Sequence, residues 1–235
     1  MLILAPSTNA KENDSYLGSS GSGDKKIQSF EAESDEIKEL VKKVEDGDTI
    51  KDIDNPLKSM ILMSSGSTGE ISNVKYAENS KVVTLEDGRQ VEEIGILAVS
   101  SLSETGQAKY SGLTQYVYLA YNKDGKYYQI SQIKSWWSRT SSAFTVKKGY
   151  QYVSSQGPGR NGRPTSCSRD WDIGTPKWDG NTSATYSQNL ISSCKYTLYD
   201  AVDDVSSIGG YTKGDVYKSG SKVFSNLYSR VTPSN

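Results

Sequence analysis

The chain of 235 residues predicts a mainly β protein, with an antiparallel β-sandwich domain over residues 94–235 preceded by a small helix-plus-strands segment over residues 30–93. Three observations carry this expectation. Turn signals recur at short intervals from Ile94 onward, separated by runs of alternating apolar and polar residues. Of the 16 Tyr, 4 Trp and 3 Phe, 20 fall after residue 93, and each aromatic ring brings a large apolar area to a core. A single stretch, near residues 35–46, repeats at helical spacing.

The elements follow in order. Residues 1–10 read as the tail of a secretion signal: Thr8-Asn9-Ala10 has the small-x-small form of a cleavage site and the polar run Lys11-Glu12-Asn13-Asp14 follows it. An ordinary frayed N-terminus is the alternative. Residues 11–29 contain Leu17-Gly18-Ser19-Ser20-Gly21-Ser22-Gly23, a flexible-linker composition. A helix is then expected, with Ser34 as its cap and Ile37, Leu40, Val41 and Val44 as its apolar stripe. Its acids come early, its lysines late, and Asp46-Gly47-Asp48 stops it.

Strands are expected at Val74–Ala77, Lys81–Leu85 and Gln90–Ile94, with Glu86-Asp87-Gly88-Arg89 as a turn. Gln115–Tyr121 and Tyr127–Ile133 form a hairpin about Asn122-Lys123-Asp124-Gly125. Phe144–Val146 and Tyr150–Val153 read as a second hairpin, turning at Lys147-Lys148-Gly149. Ala184–Ile191, Lys195–Val202, Tyr211–Tyr217 and Lys222–Val231 complete the set. No stretch approaches the ~18 apolar residues of a membrane-spanning helix, so no transmembrane segment is expected.

Composition removes several kinds of chemistry. With no histidine, Ser-His-Asp and Cys-His catalysis, imidazole metal ligation and a histidine pH switch are excluded. Two cysteines cannot build a four-thiolate zinc site, and no cofactor or metal is expected. Cys167 and Cys194 are 27 residues apart in the β region, and a disulfide between them would contribute roughly 3–4 kcal/mol. Two buried free thiols are the alternative. Charge divides sharply: residues 1–93 hold 19 acidic against 11 basic side chains, and residues 94–235 hold 9 against 16. Either the acidic front packs on the basic back, or the basic part faces an anionic partner such as a cell-wall polymer or a membrane surface.

Candidate binding residues are Trp136, Trp137 and Arg139, in Ser135-Trp136-Trp137-Ser138-Arg139. Adjacent strand residues point to opposite faces, so one indole can fill the core while the other is exposed beside Arg139, where it would suit a sugar ring, a proline-rich peptide or a membrane interface; the default reading is that both serve as core or edge cover. Gln156–Pro164 reads as a long Gly- and Arg-rich loop without the Gly-Lys-Ser/Thr ending of a phosphate loop. Asp170 and Asp172 are the carboxylates that a glycosidase would need, while Asp200, Asp203 and Asp204 lack the spacing of a calcium loop.

The helix Ile37–Gly47, the stretch Asp52-Ile53-Asp54-Asn55-Pro56 and the turn Asp87-Gly88-Arg89, followed by the hairpin Tyr116–Tyr128, Trp136-Trp137 and Gly157–Gly162, give an order of features that resembles uncharacterised secreted proteins of Gram-positive bacteria with an N-terminal helix and a C-terminal β domain. The resemblance implies export and a β-rich domain, and it supplies no catalytic residue. The function expected is binding or surface interaction by a secreted or cell-surface β-rich protein; its partner is left open, a cell-wall polymer or glycan being one candidate, and no nucleic acid is expected. A carboxylate-dependent extracellular hydrolase and a secreted antibacterial or toxin-like protein are the alternatives.

Overall fold

The computed structural model describes residues 26–28, 34–47, 72–101, 112–199 and 206–231. The expected signal remnant, most of the expected linker, and Asp200, Asp203 and Asp204 lie outside the described residues. In chain order the elements are β1 (Lys26–Gln28), α1 (Asp35–Asp46), β2 (Ser72–Thr84), β3 (Gln90–Ser101), β4 (Leu113–Asp124), β5 (Tyr127–Arg139), β6 (Phe144–Pro158), β7 (Pro164–Gly174), β8 (Trp178–Asp179), β9 (Thr182–Ser183), β10 (Thr185–Asn189), β11 (Thr197–Leu198), β12 (Ser207–Lys218) and β13 (Ser221–Val231).

These strands form an antiparallel β-sandwich. Sheet A runs β1-β10-β5-β4-β3-β2, with β11 and β9 also on β5 and β8 on β9; sheet B runs β13-β12-β6-β7. The chain leaves sheet A at the end of β5 and enters sheet B at β6 through a short connection. Residues 26–28, expected at the end of the linker, instead pair with β10. The expected domain boundary between residues 93 and 94 falls within β3, which pairs with β2 on one side and β4 on the other. The described strands of the acidic front and the first strands of the basic back therefore share one sheet.

Helix α1 ends as its sequence dictates. Gly47 takes φ +78, and its N–H reaches the carbonyls of Lys43 and Val44. Ser34 occupies the N-cap position without a side-chain capping hydrogen bond. Ile37, Leu40 and Val44 bury against Ala77, Leu97, Val99, Tyr118, Ala120 and Trp136, which cover the outer face of sheet A. The other face of that sheet meets sheet B.

Between the sheets lie two apolar clusters. One gathers Ile96, Leu119, Ile130, Ile133, Val153 and Ile208; the other gathers Leu113, Trp137, Phe144, Val146, Val216 and Leu227. A buried polar belt separates them. Gln115 Nε2 donates to the Thr212 carbonyl at 2.7 Å, and Gln151 Nε2 donates to Ser135 Oγ at 3.0 Å and to the Tyr186 carbonyl at 3.2 Å. Both amides thus tie one sheet to the other, because Gln115, Ser135 and Tyr186 belong to sheet A while Gln151 and Thr212 belong to sheet B. Cys167 of β7 and Cys194, in the turn after β10, form a disulfide that makes a second tie.

Three local expectations are corrected. Val74–Ala77 and Lys81–Leu85 are not separate strands: Glu78, Asn79 and Ser80 pair in register with Ile96, Gly95 and Ile94, and their polarity suits β2 as the last strand on its side of the sheet. Gln156–Pro164 is no long loop, since β6 runs to Pro158, β7 begins at Pro164, and the Gly159 N–H closes a tight turn on the Arg163 carbonyl at 2.7 Å. Lys147-Lys148-Gly149 does not turn a hairpin. On β12, Lys147 faces Asp215 and Tyr150 faces Lys213, so two residues of β6 stand opposite the single Gly214: a β-bulge, with Lys148 at φ +54.

That bulge reverses the alternation along β6. Phe144 and Val146 point inward before it; Gln151, Val153 and Ser155 do so after it. A second irregularity, at Ser131, does the same in β5, where Ala120 pairs with Gln132 and Tyr121 with Ile130. Ile130 points inward before it, and Ile133 and Trp137 after it.

Two stability outcomes follow from these ties. Cys167→Ala with Cys194→Ala should cost about 3–4 kcal/mol in urea unfolding, the entropy released when the closed loop opens. Gln151→Ala should cost about 2–3 kcal/mol, because it opens a cavity and removes the side-chain hydrogen bonds to Ser135 Oγ and the Tyr186 carbonyl.

Candidate binding face

Both tryptophans of the expected site are inside the molecule. Trp137 is 0% exposed, edge-on to Tyr186 at 6.3 Å, and its backbone N–H donates to Ser183 Oγ at 2.7 Å. Trp136, 4% exposed, stacks on Tyr116 at 4.8 Å and 2° in the cluster that α1 covers. Opposite-face placement holds, yet both faces of sheet A are covered there, so no indole is presented. Arg139 lies over the Trp178 ring at 4.0 Å and donates to the carbonyls of Phe144 (2.6 Å) and Gly180 (2.9 Å). It clamps the passage from β5 to β6.

The Gly- and Arg-rich turn is likewise occupied. Arg160 stacks over Tyr196 at 3.8 Å and pairs with Asp124. Asp170 and Asp172 stand two residues apart on β7, exposed on the same face of sheet B, and Asp172 Oδ1 accepts the Gly174 N–H at 2.9 Å. This is an open sheet surface, on which the two carboxylates flank neighbouring tyrosines.

Those tyrosines form the most coherent exposed feature among the described residues. Tyr150 and Tyr152 of β6, Tyr211 of β12 and Tyr228 of β13 make a row across three strands on the outer face of sheet B. Ring centroids are 6.2 Å apart for Tyr150 and Tyr211, 5.1 Å for Tyr152 and Tyr211, and 4.8 Å for Tyr211 and Tyr228. Each ring is half-buried against its neighbours, and no described helix or strand packs over the row. Polar groups border it. Ser168 Oγ donates to Tyr152 Oη at 3.2 Å, Lys213 Nζ lies 5.0 Å from the Tyr150 ring, and Arg230 flanks Tyr228.

Parity explains the row. Gln151 and Thr212 point inward, so Tyr150, Tyr152, Tyr211 and Lys213 must point outward. Sequence reasoning passed over the signal: three polar-bounded pairs at strand spacing, Tyr150-x-Tyr152, Tyr211-x-Lys213 and Tyr228-x-Arg230. The Trp-Trp pair drew attention by ring size, yet its very size is what the core uses.

Three of these phenols, Tyr150, Tyr211 and Tyr228, are held in their neutral form. Burial first, then the nearby Asp170 carboxylate, pushes the Tyr150 hydroxyl up to about 12; burial pushes Tyr228 to about 12 against the opposing Arg230. Tyr211 is raised by burial as well. These three hydroxyls therefore donate and accept hydrogen bonds throughout the physiological range. At one end of the row opens a cleft of about 530 Å³, lined by Lys147, Lys148, Tyr150, Asp172, Lys213 and Asn226 together with glycine backbone.

No family model, curated protein or solved structure matches the chain. Among the described residues no cluster of three or more His, Cys, Asp or Glu is placed to hold a metal ion, and no helix is long and apolar enough to cross a membrane.

The raised tyrosines set a pH dependence. A folded-state value above the unfolded ~10 favours the folded form below pH ~10, and that advantage is lost as pH climbs through the folded values near 12. Without histidine, no side chain of ordinary pKa titrates between pH ~6 and 8. Urea midpoints should therefore be level over that interval and fall above pH ~10, with phenolate absorbance of Tyr150, Tyr211 and Tyr228 rising late and together with unfolding.

Proposed function

We propose that this is an extracellular binding protein that lays the tyrosine face of sheet B against a carbohydrate polymer, such as a cell-wall or surface glycan. The observation that carries the reading is the row Tyr150, Tyr152, Tyr211 and Tyr228, left open among the described residues and bordered by hydrogen-bonding side chains. Sugar rings offer C–H faces rimmed by hydroxyls. A tyrosine offers the complement, an apolar ring face with a polar tip, at low conformational cost. A row of such rings on a rigid sheet addresses several residues of a polymer at once, and weak contacts gain strength when they act together. The Cys167–Cys194 disulfide supports export, since such bonds persist chiefly in oxidising compartments.

Affinity electrophoresis and calorimetry against a panel of soluble polysaccharides and cell-wall fragments test the reading. Tyr211, which touches three other rings of the row, is the position of greatest leverage. Tyr211→Ala should lower affinity about tenfold, in keeping with the ~1–3 kcal/mol typical of a buried aromatic anchor. Trp136→Ala and Trp137→Ala should lower stability while the folded fraction keeps its affinity. Binding that survives Tyr211→Ala combined with Tyr152→Ala would overturn the assignment of the face.

A further inference from the structure

The cleft at the end of the tyrosine row is built from costly backbone. Lys148 and Asn226 both have φ +54, and both line it; they are two of only three non-glycine residues with positive φ among the described residues. Asparagine tolerates that conformation, but a lysine gains nothing from it, and glycine would hold the same bulge with less strain. Strain of this kind is kept where a side chain has work to do. The Lys148 side chain is 79% exposed, and its Nζ lies 3.7 Å from Asp215.

Charge points the same way. Lys147, Lys148 and Lys213 line the cleft, with Asp172 as the acid among its lining residues. Behind them the side chain of Asp215 is 7% exposed, between Lys148 and Lys222, and accepts the Asn226 N–H at 3.1 Å. Four lysines thus meet three carboxylates, counting Asp170 beside Tyr150. Lys147 Nζ sits 4.5 Å from the Tyr217 ring and Lys213 Nζ 5.0 Å from the Tyr150 ring, which holds both ammonium groups at the surface. Gly149 and Gly174 bring bare backbone to the rim.

The geometry points to an anionic polymer: the cleft seats the negatively charged group of a sugar unit, a uronate carboxylate or a phosphodiester, while neighbouring units lie on the tyrosines. This rests on the tyrosine face being the carbohydrate surface, and it adds the class of polymer.

The test compares polygalacturonate, the same polymer methyl-esterified to neutrality, and a poly(ribitol phosphate) teichoic acid. Wild-type protein should bind at least one anionic polymer about tenfold more tightly than the neutral one, and the difference should fade in ~0.5 M salt. A preference between polygalacturonate and teichoic acid identifies carboxylate or phosphodiester as the seated group. Lys148→Gly should weaken anionic binding about threefold, and Lys148→Gly with Lys213→Gln about tenfold, as expected for partly exposed charge contacts. Lys148→Gly should also match or exceed the wild type in its unfolding midpoint, so a loss of binding cannot be ascribed to misfolding. Equal affinity for neutral and anionic polymers, still sensitive to Tyr211→Ala, would overturn the anionic assignment and leave the tyrosine face standing. Failure to bind any of the three polymers, or others of the polysaccharide panel, would overturn both.

Discussion

Strand parity is the constraint on which this molecule turns. A β-strand sends alternate side chains to opposite faces, so one inserted residue reverses everything beyond it. In β6 the bulge at Lys148-Gly149 performs that reversal within a strand whose two ends both belong to the core. Before it, Phe144 and Val146 fill one apolar cluster; beyond it, Val153 fills the other and Gln151 lies between them. The tyrosines reach the outer face by the same step. In β5 the irregularity at Ser131 allows Ile130 and Ile133 to share one core, and it assigns Trp137 to the interior and Trp136 to the helix side.

A reversed strand must be held in its register, and the polar belt does this. Gln115 and Gln151 reach across to carbonyls and a hydroxyl of the opposing sheet, in an environment where an unpaired polar group is costly. A shifted pairing would forfeit these bonds and turn Tyr150 and Tyr152 into the core. The specification of the interior and the presentation of the outer face are therefore one event. The charge split gains a physical meaning as well: β2 and β3 bring acidic residues into sheet A, whereas the outer face of sheet B gathers the lysines around the cleft.

Features governed by local chemistry were legible in the sequence. The stripe of Ile37, Leu40 and Val44, the left-handed Gly47, the Asp87-Gly88 and Asp124-Gly125 turns and the Cys167–Cys194 pairing all depend on spacing along the chain. What escaped depends on partners that spacing does not reveal. Lys147-Lys148-Gly149 has the composition of a turn, but β12 pairs with Lys147 before the bulge and with Tyr150 after it, and β7 takes up Gly149, so the strand continues through it. Gln156–Pro164 has the composition of a loop, but its ends pair as Gly157↔Thr165 and Pro158↔Pro164. Strand alternation alone leaves one indole of the Trp136-Trp137 pair outside the sandwich; the helix that covers Trp136 lies nearly a hundred residues earlier. The tyrosine row was invisible for the converse reason, since its members come from three strands whose adjacency only the fold creates.

The position of β12 has a temporal consequence. This strand sits in the middle of sheet B, between β6 and β13, yet it is the penultimate described strand to be synthesised. Until it arrives, β6 has β7 on one flank and an unsatisfied row of amides and carbonyls on the other, the arrangement that invites pairing with another chain. The bond between Cys167 and Cys194 needs neither β12 nor β13, and once made it anchors β7 to the sheet A side of the molecule. Whenever that bond is in place, it keeps the incomplete sheet near its own partner whether or not the closing hairpin has docked.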